Sequence, residues 1–560
     1  MKLKLIIMGI LLFSGLKAQP FIPAKFYLSP VSGFDSSAFA GLKSNSISEI
    51  RLQGDSLVWV GTGAGLTVLR DTSSIFTLKT TPAPEEGTLT DLLPEGAVSA
   101  LAVSGDTLFA AFAEDKNGQT AGSGFTYSVN SVDSSITWNY FKQPVDATGD
   151  SLAPFAKRFF KALPITVTEN NITYDASMAG GYIWVTSWAG GLRRYNISEK
   201  VWERVPLPLD GDQTLNTCEA AAYEDAEAGQ VLKDYYLNPR DPWDGVSTKS
   251  GDALLYGHHN HKGFSVLAYA DTVWVGTANG INRGILGANG CINWKHFVPG
   301  VNSLSGGFVV GLAKQEYLGY RIIWAATLST GAGESMAVSY SLDDGETWQT
   351  TLAGERAYNI EARDSLVFVS TDNGLWKFID ENPLDLNKPW ALYKPARQAL
   401  PIGSTGAFTT DEILSNRVVT AVYENRAFYS SRLWIGTDDG LGRALDIHGE
   451  NWQIFRSNYD RSKVYAYPNP FSPYNHNLLN DDGYVRFNTD VRVSFVINMD
   501  IYNFAFEKVY SEDFDRRISS SGSLKWSGRD QDGNYVANGT YFIRIKYDNN
   551  VNWVKLIVVK

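Results

Sequence analysis

Cysteine is almost missing from this chain: Cys218 and Cys291 are the only two in 560 residues. That scarcity excludes a disulfide framework and any multi-cysteine zinc site, leaving one bridge at most. Positive charge is short as well. The formal charge is −11 and no long basic cluster offsets it, so phosphate-backbone binding is excluded and no nucleic-acid partner is expected. After the first twenty residues no stretch approaches the ~18 consecutive apolar residues that span a bilayer. No transmembrane span is expected.

What is present begins with "MKLKLIIMGILLFSGLKAQP", in which Lys2 and Lys4 precede an apolar run from Leu5 to Leu16, followed by Ala18. This is the layout of a secretory signal peptide over residues 1–18, too short and wrongly flanked for a membrane helix. Losing Lys2, Lys4 and Lys17 with it takes the charge from −11 to −14. No cysteine follows the cut, so no lipid anchor is expected there. The remaining length exceeds what one ordinary core fills, which calls for several domains or one large closed β architecture.

The phrase "VWVGTGAGL" (58–66) returns as "VWVGTANGI" (273–281) and "LWIGTDDGL" (433–441). Aligned on it, Trp59, Phe109, Trp184, Trp274, Trp324, Phe368 and Trp434 fall in one place, spaced 50, 75, 90, 50, 44 and 66 residues apart. A turn such as "GDSL" or "GDTL" precedes most copies, a glycine turn follows, and a second aromatic (Phe76, Trp138, Trp202, Trp294, Trp348, Trp390 or Trp452) opens a further strand. Each unit is thus a meander of four short strands, a to d. A run such as "LVWV" is apolar on both faces and needs a sheet on either side, which radial closure supplies. Residues 19–462 are expected to form one seven-bladed β-propeller, with the excess spacing as loop insertions. The stretches 45–69 and 416–444 resemble the two-component-regulator type of propeller repeat, and "SLDDGETW" (341–348) matches the Asp-box S-x-D-x-G-x-T-W, with looser copies at 131–138 and 445–452.

In such a meander the b–c turns and the d–a crossovers share one face. All six long insertions (81–95, 142–170, 208–263, 396–415, 114–124 and 328–336) are assigned to it, and elaborated loops on a rigid scaffold carry binding. The same logic puts Cys218 and Cys291 on opposite faces, unpaired. Trp188, Trp243, Asn279, Asp372, Asp438 and Asp439 are the candidate ligand-binding residues, suited to stacking on a sugar ring, accepting its hydroxyls or seating a protein. The three aspartates also suit plain turn formation. His258, His259 and His261 in "GHHNH" are candidate metal ligands, with solvated loop histidines as the alternative. No cofactor is expected.

From Lys463 the pattern shifts to period-two alternation with frequent turns, expected to be a small β-sandwich over 463–560, entered by a stiff, extended "YPNPFSP". "DQDGN" (530–534) lacks the glycine and glutamate of a calcium loop and reads as a hairpin turn. The Y-P-N-P-F opening, the G-N-x-V-x-x-G-x-Y-F-x-R-I hairpin and the terminal K-L-I-V-V-K resemble the C-terminal sorting domain of type IX secretion substrates, and the region also resembles the Ig-like domain of flagellar hook-capping proteins. The resemblance implies the type IX machinery as a partner and a secreted or outer-surface location in a Gram-negative bacterium.

The reading taken first is a non-catalytic propeller that binds an extracellular glycan or protein. A glycoside hydrolase or lyase of the Asp-box type stands second, although a sialidase's early Arg-Ile-Pro motif is absent. The nearest stretch, around Arg204, falls in an outer strand. An accessory component of the sorting machinery stands third.

Overall fold

The computed structural model describes residues 39–560, apart from 55, 71–73, 148, 150, 170, 241–256, 380–388, 394–412, 414, 425–431, 445–451, 456, 458–463, 475–482, 489–495, 516–523 and 548–549. The signal-peptide assignment at 1–18 and most of the 396–415 insertion lie outside the described residues. Those that are described form strands, turns and short 3-10 segments, with no α-helix among them.

Seven antiparallel sheets each contain a four-strand meander in chain order. The first comprises Ile47–Gln53, Leu57–Thr62, Gly65–Arg70 and Ser74–Thr77; the last comprises Val418–Glu424, Arg432–Thr437, Gly440–Ala444 and Trp452–Phe455. Their first strands touch one another in sequence order, and Val418–Glu424 returns to touch Ile47–Gln53, closing the circle.

The repeated aromatics explain why the phrase recurs. Trp59 of the first meander meets Trp138 of the second edge-to-face at 6.4 Å, and Trp274 of the fourth meets Trp348 of the fifth at 6.5 Å. Trp324 of the fifth likewise meets Trp390 of the sixth, at 6.4 Å. Phe109 and Trp202, Trp184 and Trp294, and Phe368 and Trp452 share cores in the same relation. At six of the seven interfaces the second-strand ring therefore seats against the fourth-strand ring of the next meander. The indole N–H groups of the second-strand tryptophans are satisfied locally: Trp59 donates to Gln53, Trp324 to Gln315 and Trp434 to Glu424, at 2.7–2.9 Å. Left unpaired, each would cost about 1–3 kcal/mol.

The "GT" after each ring has two separate reasons. A Cβ on Gly276 would lie within 2.7 Å of Val309 of the next meander, and one on Gly436 would strike Ile47, so only glycine admits the neighbouring strand. The threonine then caps the turn, as in Thr277, which donates to Gly280 O and accepts the Asn279 N–H at 3.2 and 3.1 Å. Gly280 itself takes φ +95°, a conformation that glycine adopts without steric cost.

Every first strand carries a one-residue bulge near its start, centred on Ser48, Ser99, Tyr174, Phe264, Val310, Tyr358 and Val419. All seven residues are buried. Beyond the bulge, side chains of one meander satisfy exposed edge groups of the next. Glu49 accepts the Leu101 N–H at 2.7 Å, Asp175 accepts that of Val266 at 3.0 Å, and Ser177 accepts that of Ala268 at 2.9 Å. An open edge would otherwise invite pairing with another chain.

Two expectations are corrected here. Crossovers 81–95, 142–170 and 208–263 do not simply decorate one face; each runs in part down the outside. Gly87–Thr90 pairs as a fifth strand with Thr137–Phe141, and Thr214–Asn216 does so with Ile292–Phe297. Leu152–Phe155 and Arg158–Ala162 join Tyr223–Ala226 and Gly229–Leu237 in a four-stranded flank sheet that packs Phe155, Phe160 and Tyr235 over Trp184 and Leu192. The second correction follows from the first. Because Thr214 lies opposite Lys295 and Asn216 opposite Asn293, the chain is carried down to the turn at 288–291, and Cys218 and Cys291 are disulfide-bonded. The strand register is as expected; the path of the crossover is not.

At the C-terminal end, a three-stranded sheet (Tyr465–Tyr467, Val485–Asn488, Leu524–Trp526) and a four-stranded sheet (Lys508–Asp515, Val496–Tyr502, Gly539–Tyr547, Asn550–Val558) share one core containing Phe471, Met499, Trp526, Ile543 and Leu556. The "YPNPF" segment is not a free spacer. Asn469 and Phe471 hydrogen-bond to Lys555, Ile557 and Val559 along the edge of the last strand. Asp530 organises "DQDGN" as a tight turn, accepting the N–H groups of Asp532 and Asn534.

Candidate binding surface at the b–c turns

The b–c turns place five of the candidate residues. Trp188, Asp372 and Asp438 follow the capping Ser or Thr directly, while Asn279 and Asp439 come one position later. Trp243 lies outside the described residues.

Trp188 is not a surface platform. It is buried against Phe264 at 5.6 Å, with the Lys262 ammonium 5.5 Å from its ring centre. Asn279 is tied to the scaffold on both sides, its N–H on Thr277 and its carbonyl 2.5 Å from His296 Nε2. Asp439 is buried and its N–H bonds the Thr437 hydroxyl at 3.0 Å, the role of a turn former.

Asp372 and Asp438 belong to a larger cluster. Tyr358, the bulge residue of the sixth meander, donates its hydroxyl to Asp372 Oδ1 at 2.5 Å. Arg417 lies 3.6 Å from the same carboxylate and stacks over the Tyr358 ring at 4.6 Å, with Arg356 4.0 Å from Asp372 on the other side. Burial raises the Asp438 carboxyl above its ordinary value, against the pull of a Ser415 hydrogen bond and the Arg417 charge. Burial also raises the Tyr358 phenol, so it stays a donor at any physiological pH. The result is a patch of guanidinium donors and carboxylate acceptors around one ring, with Asp372 reaching solvent, able to pair with hydroxyls, amides or charges.

Arg356, Tyr358 and Arg417 escape the sequence reading, yet they leave a trace. Arg356 and Arg417 each sit two residues before the bulge, where Ile172, Lys262 and Phe308 stand in the third, fourth and fifth meanders. Aligning first strands, rather than second ones, exposes this column.

The histidines do not converge. His258 Nδ1 accepts the Asn238 N–H at 3.1 Å, the backbone of His259 donates to Asp210, and His261 is buried with Nε2 2.9 Å from Ala189 O. Burial holds His261 well below the usual imidazole value, and the Arg204 and Lys262 charges act in the same direction. Among the described residues no group of three or more His, Cys, Asp or Glu is placed to hold a metal ion.

No family model matches the chain, and no curated protein does. Among solved structures it is similar to PorZ, a surface component of the type IX secretion system of Porphyromonas gingivalis, with 12% identity over 92% of this chain and 75% of PorZ, at TM-score 0.31. It is also similar to the extracellular domain of a hybrid two-component system of B. thetaiotaomicron, with 10% identity, 92% and 68% coverage and TM-score 0.24. The β-propeller domain of Cps50 (Swd1) from Myceliophteria thermophila aligns with 10% identity, 75% and 100% coverage and TM-score 0.37. The chain is all-β with β-propeller neighbours, and no helix among the described residues is long and apolar enough to cross a membrane.

Proposed function

We propose that residues 19–462 form a single seven-bladed propeller that works outside the cell as a non-catalytic binding module for a glycan or protein, and that 463–560 is an Ig-like domain carrying the chain through type IX secretion. The observation that carries the binding reading is the Arg356–Tyr358–Asp372–Arg417–Asp438 patch, a polar constellation held by two adjacent meanders. The Cys218–Cys291 bridge supports an oxidising compartment, since such bonds persist in exported proteins. Contact between "YPNPF" and the final strand supports the two motif halves acting as one recognition unit.

A glycan array probed with the 19–560 chain, alongside a turnover assay on the same sugars, tests the first part. Retained binding without turnover, weakened about tenfold or more in Arg417→Gln through loss of charged hydrogen bonds, is the expected result. Turnover abolished by Asp438→Asn would instead establish the glycoside hydrolase reading, for which a carboxyl with a raised pKa is the suitable acid. For export, a reporter fused to 463–560 should reach the medium or surface of a type IX-competent bacterium, and periplasmic retention would refute that part.

A further inference from the structure

We propose that the outward face of the four-stranded C-terminal sheet binds an anionic lipid surface. This goes beyond the proposed function and stands independently of it. Strand alternation sends Met499, Ile501, Ile543, Ile545 and Leu556 into the core, yet the opposite face carries large rings among its polar groups. Phe504, Phe506 and Trp553 are 76%, 60% and 52% exposed. Phe506 stacks on Phe542 at 4.9 Å, and Tyr502 lies 5.6 Å from Trp553, so the rings form one continuous patch. Exposed apolar patches of this kind mark interaction sites.

The turn that presents the two most exposed rings is built for it. Asn503 Oδ1 accepts the N–H groups of Ala505 and Glu507 at 2.9 and 3.0 Å, and its amide donates to Glu507 Oε2 at 2.7 Å. Phe506 occupies φ +62°, an unfavourable conformation for a bulky residue. A surface turn that accepts this conformation to hold phenylalanine in water is a candidate for function.

Charge selects the occupant. Lys555 lies opposite Phe542 and Lys546 opposite Val551, both exposed beside the rings, while Lys508 and Arg544 on the same face are paired with the buried Asp500. Of the anions described on that face, Asp500 is neutralised by Arg544 and Lys508, with Ser511 donating to it, whereas Glu507 and Asp513 accept hydrogen bonds from the amides of Asn503 and Asn498. Residues 463–560 carry 12 Lys and Arg against 11 Asp and Glu, whereas the rest of the chain carries 37 against 49. An anionic surface therefore repels the propeller and accepts this end. Aromatic rings flanked by basic groups match the boundary between headgroups and acyl chains.

The test is co-sedimentation of the 19–560 chain with vesicles of phosphatidylglycerol and phosphatidylethanolamine in equal parts, against phosphatidylcholine alone. Binding to the anionic vesicles is expected, reversed by high salt. Phe504→Ser with Phe506→Ser should lower the partition by about tenfold or more, and Lys546→Gln with Lys555→Gln, a surface pair that leaves the core intact, by about tenfold. Failure to sediment, equal binding to both vesicle types or undiminished binding by the phenylalanine variant overturns the proposal. So does light scattering that shows the patch closing a dimer with no vesicle affinity.

Discussion

Trp348 and Phe76 both stand near the start of a fourth strand, yet one residue apart in register. Trp348 precedes Gln349, which pairs through Tyr340 to Trp324, whereas Phe76 pairs through Val68 to Trp59 itself, so that Ile75 is the counterpart of Trp348. Trp348 is buried edge-to-face against Trp274, whereas Phe76 is 42% exposed and the interface between the last and first meanders is packed by Trp434, Ile47 and Leu441 with Ile75 against them. Trp348→Ala should cost about 3–5 kcal/mol and Phe76→Ala less than about 1 kcal/mol, as read by denaturant unfolding of the whole chain. The sequence shows an aromatic near the start of each fourth strand. It does not show that Phe76 falls one residue late and leaves the closing interface to Ile75, because that depends on the pairing register. The buried His261 adds a pH dependence. Its imidazole is held neutral when folded and takes a proton near pH 6.5 when unfolded. Stability is therefore complete above that pH and falls as the solution is acidified toward about pH 5, with His258 acting in the same direction. Melting curves across that range should show the loss, and His261→Asn should flatten it.

At the scale of elements, the second and fourth strands were legible because their periodicity and punctuation are local. The crossovers were not. Nothing within 208–263 announces that Thr214–Asn216 will pair with Ile292–Phe297, since an added edge strand is chosen by a partner about eighty residues away. That one pairing brings two cysteines, 73 residues apart, together. Closing a loop of this length removes entropy from the unfolded chain worth about 4 kcal/mol in the simplest treatment. Reduction should lower the unfolding midpoint markedly, and Cys218→Ser should reproduce the loss and abolish any further effect of reductant. An unchanged midpoint would mean that the flank sheet is held by Phe155, Phe160 and Tyr235 alone. The candidate site was half legible for a related reason: Asp372 and Asp438 sit in a recurring turn, while Arg356 and Arg417 sit where no motif repeats.

For the whole molecule, closure of the ring is the critical step, since a row of meanders left open would expose an apolar flank at each end. Among the described residues closure does not exchange a strand between the ends: the last sheet is made from 418–455 and the first from 39–77. The join consists of packing around Trp434 and Ile47, a bridge between Leu42 and Ser457, the Gly440 N–H on Asn45 O, and the Asn45 side chain accepting the Ser457 N–H at 2.8 Å and its hydroxyl at 3.1 Å. All of this lies before residue 458, so the fragment 19–462 should fold and unfold cooperatively without the C-terminal domain. Asn45→Ala leaves the Ser457 N–H without its acceptor, at about 1–3 kcal/mol, and the loss should appear as faster amide exchange in both terminal meanders together while the middle ones keep their protection. Exchange raised in the first meander alone would show that Asn45 serves its own sheet and that the circle is held shut by Trp434 and its apolar neighbours.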